Sequence, residues 1–578
     1  MAEPTPIYIH AASRTPSFGY KPEHGYSPAE ISRTLSRLLS VPAMDILQSI
    51  PVHIDAIFVS NQFSDSDGAE ELVVNRLVDS LSWHDRRNNA DLRLSGVTCA
   101  RVETATNGLT ALKVAIDHLK AGSGDTVMVI GGEKLTPRGF SDKEYFDEHF
   151  GSWAEGIINR IVSALAPNDR AHCRSMPAAM GLILNCYART RWIDYSDLTR
   201  LIEQLAIKSY ENVLNNRNAF QRYSKLFSGR SIRAVLKDEE KNPMLVYPLR
   251  QLHMSPFNDG AGALLISRHH KLQTLDGGTS VADVAISGCA IAQDTLSLTE
   301  RNSLDSFPAT ALAAKRAYDE AKLDLRRWES ELAPLIVEQH DAFVPLTLIN
   351  LEDLQLFHNQ WDVISFLEDK YLNANSCPLM LNPSGGLLEG HPFAGTAIIK
   401  LAECFARLAA RHKVASWFTP NAAGNEKPTT AIVQSFGGIG GNVGVAVLDA
   451  CSAVTGVPTR SPGYTGHYNN LGSRLEPVKA SLSQDWQIVS LVRAKMPYIS
   501  KREQFTLPTG ETVLALVQTP NGRKYAHAIP GTDEAALRPE DICDEDIFVR
   551  LDEADDTLSF SIRDRRQRKR ISFRHVTV

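Results

Sequence analysis

The chain has 578 residues, 43% of them hydrophobic and 22% charged, with a formal net charge of −6. That length exceeds one ordinary domain and points to about two or three. The composition is that of a globular chain with ample core material, the weak acidity gives no reason to expect a nucleic-acid partner, and no run nears the ~20 apolar residues of a membrane span, so no span is expected.

Short β-branched runs alternate with helix-period segments from the start. Residues 6–12 (PIYIHAA), 55–60 (DAIFVS) and 126–132 (TVMVIGG) read as buried strands. Ser27 and Pro28 read as an N-cap and first-turn proline, with Ile31, Leu35, Leu38 and Leu39 on one face of the helix that follows. A second helix is predicted from Asn107 to Ala121, with Leu109, Leu112, Ile116 and Leu119 in one stripe. Residues 134–250 differ: they are polar, carry a helical segment at 197–214, and read as an excursion over the core.

The alternation resumes after Asp259-Gly260. Residues 262–267 and 281–287 are predicted strands, Pro308 to Leu323 a helix, and 335–343 begins as a strand. Leu381 to Leu408 holds a glycine turn and a long helix, and 430–436 with 443–449 reads as a closing hairpin. The order of elements suggests one α/β layout run through twice. The predicted units are 1–268 (including the excursion) and 269–452. A Gly-, Pro-, Ser- and Asn-rich linker at 453–480 and a small all-β barrel at 481–578 complete the chain.

The eight cysteines lie at 99, 173, 186, 289, 377, 404, 451 and 543, with no CxxC pair. They read as reduced thiols of an intracellular protein, and no zinc site is expected. The first residues lack the pattern of a secretory signal and the last ones the peroxisomal tripeptide, so the expected location is cytoplasmic.

Four separated segments bear on chemistry. In 382–397, NPSGGLLEGHPFAGTA, His391 stands between a glycine and a proline before an apolar helix. There it is placed to take a proton, or merely to bond backbone at a strand-to-helix turn. In 338–343, EQHDAF, His340 follows a buried strand, where α/β sheets bind ligands. It is placed to donate to an oxygen gaining charge, or to be satisfied by its neighbour Asp341. Residues 435–442, SFGGIGGN, are an anion cradle or a tight hairpin, and match neither a P-loop nor a dinucleotide fingerprint. Ser255, in SPFNDGA (255–261), bonds a ligand amide or sits in a solvated turn.

Taken together, in this order and spacing, the segments resemble the thiolases. The opening IHAASRTPSFG, the strand VMVIGGEKL, Asn258-Asp259-Gly260-Ala261 and GGLLEGHPFAG carry the resemblance from about Pro6 to Asp449. His340-Asp341 is similar to the sterol-carrier-protein branch, and the β-rich tail is similar to that of type 1 thiolase-like proteins. The resemblance implies the thiolase fold, two βαβαβαββ halves in α-β-α-β-α layers. It implies an acyl-CoA or CoA thioester as substrate, with no permanently bound cofactor. It also implies a homodimer, although type 1 thiolase-like proteins include monomers.

Thiolases use a cysteine at the N-terminus of a buried helix, which lowers its pKa, to form an acyl enzyme. Matching the family's Cys-x-x-Gly to Gly108, the nucleophile position falls on Ala105, and the second cysteine position falls on Ser435. The resemblance assigns the catalytic histidines to His391 and His340 and pantetheine contact to Ser255. It extends the substrate site to Asn107, Gly108, Phe343, Gly437 and Gly438.

Alanine cannot attack a carbonyl, so ordinary thiolase turnover is expected to be lost. The alanine is an engineered lesion that traps a ligand, a natural variant, or a sign that another thiol substitutes. Cys99 is the nearest thiol in sequence, six residues before that position on the entering strand, and reads as an ordinary core residue sooner than as a substitute nucleophile. Ser435 departs from the family as well, which favours a natural variant. Without the acyl enzyme, the two histidines still suit direct acyl transfer, decarboxylation or carbon–carbon cleavage. The competing function is a non-catalytic thiolase-like scaffold that acts with a partner. The basic cluster 563–570 pairs with CoA phosphates or an acidic protein, or is a solvated strand edge that blocks association.

Overall fold

The computed structural model describes residues 6–18, 34–63, 73–88, 94, 97–102, 107–135, 156, 161–162, 165–173, 175–191, 193–220, 225–325, 335–357, 360–371, 379–409 and 428–452. In the C-terminal part it describes 487–496, 510–519, 522–528, 547–552, 557–563 and 568–575. The strands of the first part are β1 (Ile7–Arg14), β2 (Ala56–Ser60), β3 (Thr98–Val102), β4 (Thr126–Glu133), β5 (Met244–Val246), β6 (Leu249–Arg250) and β7 (Gly260–Ser267). Then come β8 (Lys271–Gln273), β9 (Thr279–Val281), β10 (Val284–Gln293), β11 (Leu335–Glu338), β12 (Leu379–Leu381), β13 (Thr430–Gly437) and β14 (Asn442–Ala450). The principal helices are α1 (Leu35–Ser49), α2 (Val73–Asn88), α3 (Leu109–Lys120), α4 (Met176–Thr190), α5 (Tyr195–Asn215), α6 (Pro308–Ala321), α7 (Leu346–Asp353) and α8 (Thr396–Ala409).

Ten strands make one mixed sheet in the order β12-β11-β13-β14-β10-β1-β7-β4-β2-β3. Read outward from the antiparallel seam between β1 and β10, the two halves are the same. In each, the first strand borders the fifth, the fifth the fourth, the fourth the second and the second the third. The senses agree too. The second strand is parallel to the third and the fourth, and the fifth is antiparallel to its neighbours. The duplication expected from element order is therefore present in the hydrogen bonding.

Alternation along the strands builds the layers. In β2, Ala56 and Phe58 face a central apolar cluster while Ile57 and Val59 face an outer one. The central cluster holds Leu109, Leu112 and Ile116 of α3 with Ile398 and Leu401 of α8, between the two halves. Helices α1 and α2 cover the first half, and α6 and α7, with α4 and α5 beyond, cover the second. The result is the predicted α-β-α-β-α layering, carried on a sheet that is continuous through β1 and β10.

Several elements differ from expectation. Helix α1 begins at Leu35, where the Thr34 side chain accepts from the Arg37 N–H; Ser27, Pro28 and Ile31 lie outside the described residues. Helix α3 begins two residues after Asn107, whose side chain accepts from the Leu109 N–H. Within the polar excursion, α4 is buried from Ala178 to Ala188, because its small and apolar residues pack all round.

The last six strands are β15 (Gln487–Met496), β16 (Gly510–Thr519), β17 (Gly522–Ala528), β18 (Ile547–Asp552), β19 (Thr557–Arg563) and β20 (Arg568–His575). They do not form a closed barrel among the described residues. Their sheet runs open in the order β18-β19-β20-β17-β16-β15-β5-β6, and β15 pairs with β5 of the excursion at Ala494 and Val246. An unpaired edge takes up a ladder where one is offered, and here the excursion offers it. Residues 244–250 thus belong to this sheet as well as to the first half. A buried polar contact adds to the join: Tyr525 Oη donates to Asp169 Oδ1 at 2.8 Å. The linker 453–480 and residues 564–567 of the basic cluster lie outside the described residues.

Ile398 is fully buried and packs on Gly131 of β4 from the central layer. Ile398→Ala is expected to cost about 2–5 kcal/mol in urea unfolding, and an unchanged midpoint would show that the central layer does not carry the stability.

Candidate functional site

Strand β11 ends at Glu338 and passes the chain into Gln339, His340 and Asp341 at the carboxyl end of the parallel strands. The His340 N–H donates to Gln434 Oε1 at 2.8 Å, and its carbonyl accepts from Asn350 Nδ2 at 3.3 Å. These bonds tie the residue to β13 and α7. Its ring packs on Phe436, with centroids 4.5 Å apart. Asp341 does not satisfy it: that carboxylate accepts from Asn382 Nδ2 at 2.8 Å and the Leu387 N–H at 2.6 Å. His340 Nδ1 is buried without a hydrogen-bond partner among the described residues.

The segment bearing His391 is held by close approach. Gly386 has φ 59° and Gly390 φ 153°, backbone regions open mainly to glycine. A Cβ on the first would collide with the Asp341 carboxylate, and on the second with Ser17 and Asn258. The His391 N–H donates to Asn258 Oδ1, and its Nδ1 lies 2.8 Å from Thr396 Oγ1. Phe393 carries a left-handed φ of 35° just after it, with its ring against Phe63 and Phe257. Strain of this kind persists only where the surroundings over-determine the backbone.

The two imidazoles meet. Their ring centroids are 5.1 Å apart at an interplanar angle of 83°. His340 is 3% and His391 5% exposed. Burial pushes the His391 pKa down to about 3, with Lys400 adding to it, and burial, His391 and Lys400 hold His340 well below its usual value. Both rings are therefore neutral across physiological pH, each with one nitrogen able to donate and one able to accept. Burial raises Asp341 to about 7.

The other expected site residues fall unequally around this pair. The loop through Ser255 lies between the two histidine segments. The Ser255 N–H donates to the Ala342 carbonyl at 2.8 Å, Met254 bridges Phe343, and Phe257 bridges His391. Phe343 is partly buried against the apolar cluster of the second half. Ser435 is buried in β13 opposite Gly444, one residue before the Phe436 that touches His340.

Gly437 ends β13, and Gly438, with φ 56°, opens the turn; its carbonyl accepts from Arg301. Asn107 is fully buried, and its Nδ2 donates to Asn442 Oδ1 at 2.6 Å, so its amide serves α3 and the hairpin turn. Gly108 packs its Cα against the Ala394 carbonyl. Ala105 lies outside the described residues. Cys99 sits half-buried in β3, where burial raises its pKa, the wrong direction for a nucleophile.

The residues named from sequence omit those that hold the histidines. Asn258 was visible inside the matched NDGA segment, but its bond to a distant backbone was not. Lys400, Glu403 and Arg407 stand at i, i+3 and i+7 on α8, all buried. A charged stripe in a helix otherwise so apolar was the available signal.

Comparison with known proteins agrees with this architecture. Residues 290–450 match the family model described as thiolase C-terminal domain-like. An acetyl-CoA acetyltransferase of Methanocaldococcus jannaschii is 24% identical over 359 residues, 61% of this chain and 81% of that one. A 17-hydroxy-3-oxo-4-pregnene-20-carboxyl-CoA lyase of Mycobacterium tuberculosis is 27% identical over 221 residues, 38% of this chain and 51% of that one. In fold, the chain is similar to a monomeric SCP2-thiolase-like protein type 1 from Mycobacterium smegmatis, at a TM-score of 0.56 and 16% identity, covering 96% of this chain and 98% of the other. Residues 290–450 are thus similar to a thiolase C-terminal domain, and the chain shares the thiolase fold with the SCP2-thiolase-like protein. No helix among the described residues is long and apolar enough to cross a membrane.

The depressed pKa of His391 has a sign. The unfolded chain takes up a proton near pH 6.5 that the native site refuses until about 3, so stability falls as pH drops between these values, by up to about 1.4 kcal/mol per pH unit. His391→Asn is expected to lose less stability than the parent between pH 6 and 4 in urea titrations. Parallel losses would show that the imidazole is not buried neutral.

Proposed function

We propose that this chain cleaves or forms a carbon–carbon bond beside a CoA thioester without an acyl-enzyme intermediate. The carrying observation is the meeting of two buried, neutral imidazoles, His391 and His340, in a chain that by its resemblance to thiolases has alanine at the nucleophile position. Kinship with acetyl-CoA acetyltransferases supports a CoA thioester as the ligand class. Similarity to a CoA-thioester lyase supports a reaction that breaks carbon–carbon bonds.

Retro-aldol cleavage of a 3-hydroxyacyl thioester needs a base and an enolate stabiliser but no protein nucleophile. With the Nδ1–H of His391 donating to Thr396 Oγ1, Nε2 is left to accept the proton of the substrate hydroxyl. The Cα–Cβ bond then breaks, a carbonyl forms at Cβ, and the electron pair passes to the thioester as an enolate. An N–H of His340 donates to the thioester oxygen as it gains charge, and the shared proton is returned to Cα. Atoms balance: one 3-hydroxyacyl thioester gives one carbonyl compound and one shorter acyl thioester. The partly buried rings of Phe63 and Phe257, against Phe393, offer an apolar wall beside His391 for the acyl portion.

The test pairs binding with two assays. Calorimetry should detect acetyl-CoA and CoA binding. Release of a carbonyl product from 3-hydroxyacyl-CoA should proceed while thiolysis of acetoacetyl-CoA stays negligible, and His391→Ala and His340→Ala should each slow cleavage by roughly 10²–10⁴. Rapid thiolysis with Ala105 in place would refute the proposal. Binding of no CoA thioester would do so too, and would favour a scaffold. Recovery of thiolysis in Ala105→Cys would show that the rest of an ordinary thiolase site survives.

A further inference from the structure

Behind the histidines lies a buried cluster of charge that the reaction above does not use. Lys400 on α8 is 2% exposed, and its ammonium donates to Ser384 Oγ at 2.6 Å, the Gly386 carbonyl at 2.6 Å and Glu389 Oε1 at 2.8 Å. All three acceptors lie on the segment that leads into His391. Glu338, two residues before His340, stands 3.7 Å from the same ammonium. Ser384 closes the link, donating its N–H and hydroxyl to the two Glu338 oxygens at 3.0 and 2.9 Å. One cation thus ties together the two stretches of chain that carry the imidazoles.

The surroundings are paired as well. Arg14 of β1 reaches Glu389 at 3.0 Å and Glu403 at 2.7 Å, and Arg407 reaches Glu403 at 2.8 Å. The cations Arg14, Lys400 and Arg407 face the carboxylates Glu338, Glu389 and Glu403. Asp341 and the Cys404 thiol are the other titratable groups that sense Lys400. A buried ion cluster is seldom more stabilising than well-packed apolar side chains of the same volume, so stability alone does not account for it. Its bonds do fix geometry: three short donations from one buried ammonium hold the 384–389 turn.

We propose that Lys400 is a positioning residue that sets the separation and mutual orientation of His340 and His391. This rests on the reading that both imidazoles act on one substrate. Its charge acts in the same direction as burial, lowering the proton affinity of both rings. A base kept free of protons and a donor kept at fixed distance are what bond cleavage without a nucleophile requires.

The experiment compares Lys400→Met, which removes tie and charge, with Lys400→Arg, which keeps the charge and alters the tie. Histidine is labelled with carbon-13 at Cε1, and the His340 and His391 signals are assigned with single His→Asn variants. In the parent both signals should stay flat down to about pH 4. In Lys400→Met the His391 titration should rise by at least about one unit, and kcat on 3-hydroxyacyl-CoA should fall at least about tenfold, with the Kd for CoA changed less than about threefold. In Lys400→Arg the signals should stay flat while kcat still falls. If Lys400→Met does not fold, Lys400→Met/Glu389→Gln removes one charge of each sign and is read in the same way. Ser384→Ala, which removes the hydroxyl that links Lys400 to Glu338 and keeps the backbone N–H bond to Glu338, should lower kcat in the same direction.

Unchanged kcat and unchanged titrations in a folded Lys400 variant, or unchanged kcat in Ser384→Ala, overturn the inference. The two proposals fail separately. A parent that cleaves no 3-hydroxyacyl-CoA while Lys400→Met still moves the titration sinks the reaction and leaves the positioning. A parent that turns over beside an indifferent Lys400→Met does the reverse.

Discussion

The site depends on a steric constraint: the segment from Gly385 to Thr396 passes so close to the first half of the sheet that backbone meets backbone. Gly395 lies on Gly132 of β4, and the Ala394 carbonyl lies on Gly108 and accepts from Ser60 Oγ at 3.1 Å. No side chain fits between them. His391 belongs by sequence to the second half, yet it is seated by residues of the first, including Asn258. The duplicated sheet provides the two surfaces, and the glycines let one segment belong to both.

Electrostatics then separates two populations of buried polar groups. Around α8, Arg14, Lys400, Arg407, Glu389 and Glu403 each have an oppositely charged partner within hydrogen-bond reach, while burial pushes up Glu338, 3.7 Å from Lys400. The imidazoles next to them have no such partner among the described residues and respond to burial by refusing protons. Glu133 shows the intermediate case. It accepts from Asn61 and from the Gln62 and Phe63 N–H groups, but burial outweighs these donors and raises it to about 7. Packing thus decides charge state here more than sequence neighbours do, as Asp341, adjacent to His340 but bonded to Asn382 and Leu387, illustrates.

Much of this was legible in the chain itself. The strands β2, β4 and β7 and helix α3 announce themselves through apolar periodicity, and the segments around His340, His391 and Ser255 stand out because glycine, proline and polar residues interrupt apolar runs. The pairing of the two imidazoles was foreseen through resemblance, not through spacing. What stayed hidden was set by contacts distant in sequence. Lys400 reads locally as one of a few charges in an apolar helix, and only the fold brings Ser384, Glu338 and Glu389 to it. Helix α1 is capped by Thr34, which no run of turn residues marks in the sequence, and Ser27-Pro28 lies outside the described residues. The C-terminal strands were read correctly as β, but their partner β5 is too short to be recognised alone.

That partnership bears on how the chain is made. Val246 of the excursion pairs with Leu249 on one side, but on the other its partner is Ala494, and Asp169 meets Tyr525, in segments synthesised much later. On the ribosome, the excursion must wait with an open strand edge and a half-satisfied carboxylate until the tail emerges. Pairings so remote along the chain close slowly and leave sticky surface in the interval. The nascent polypeptide is thus most exposed to misassociation after the first half of its sheet can form and before its last strands exist, the stage at which chaperone protection has the most to cover.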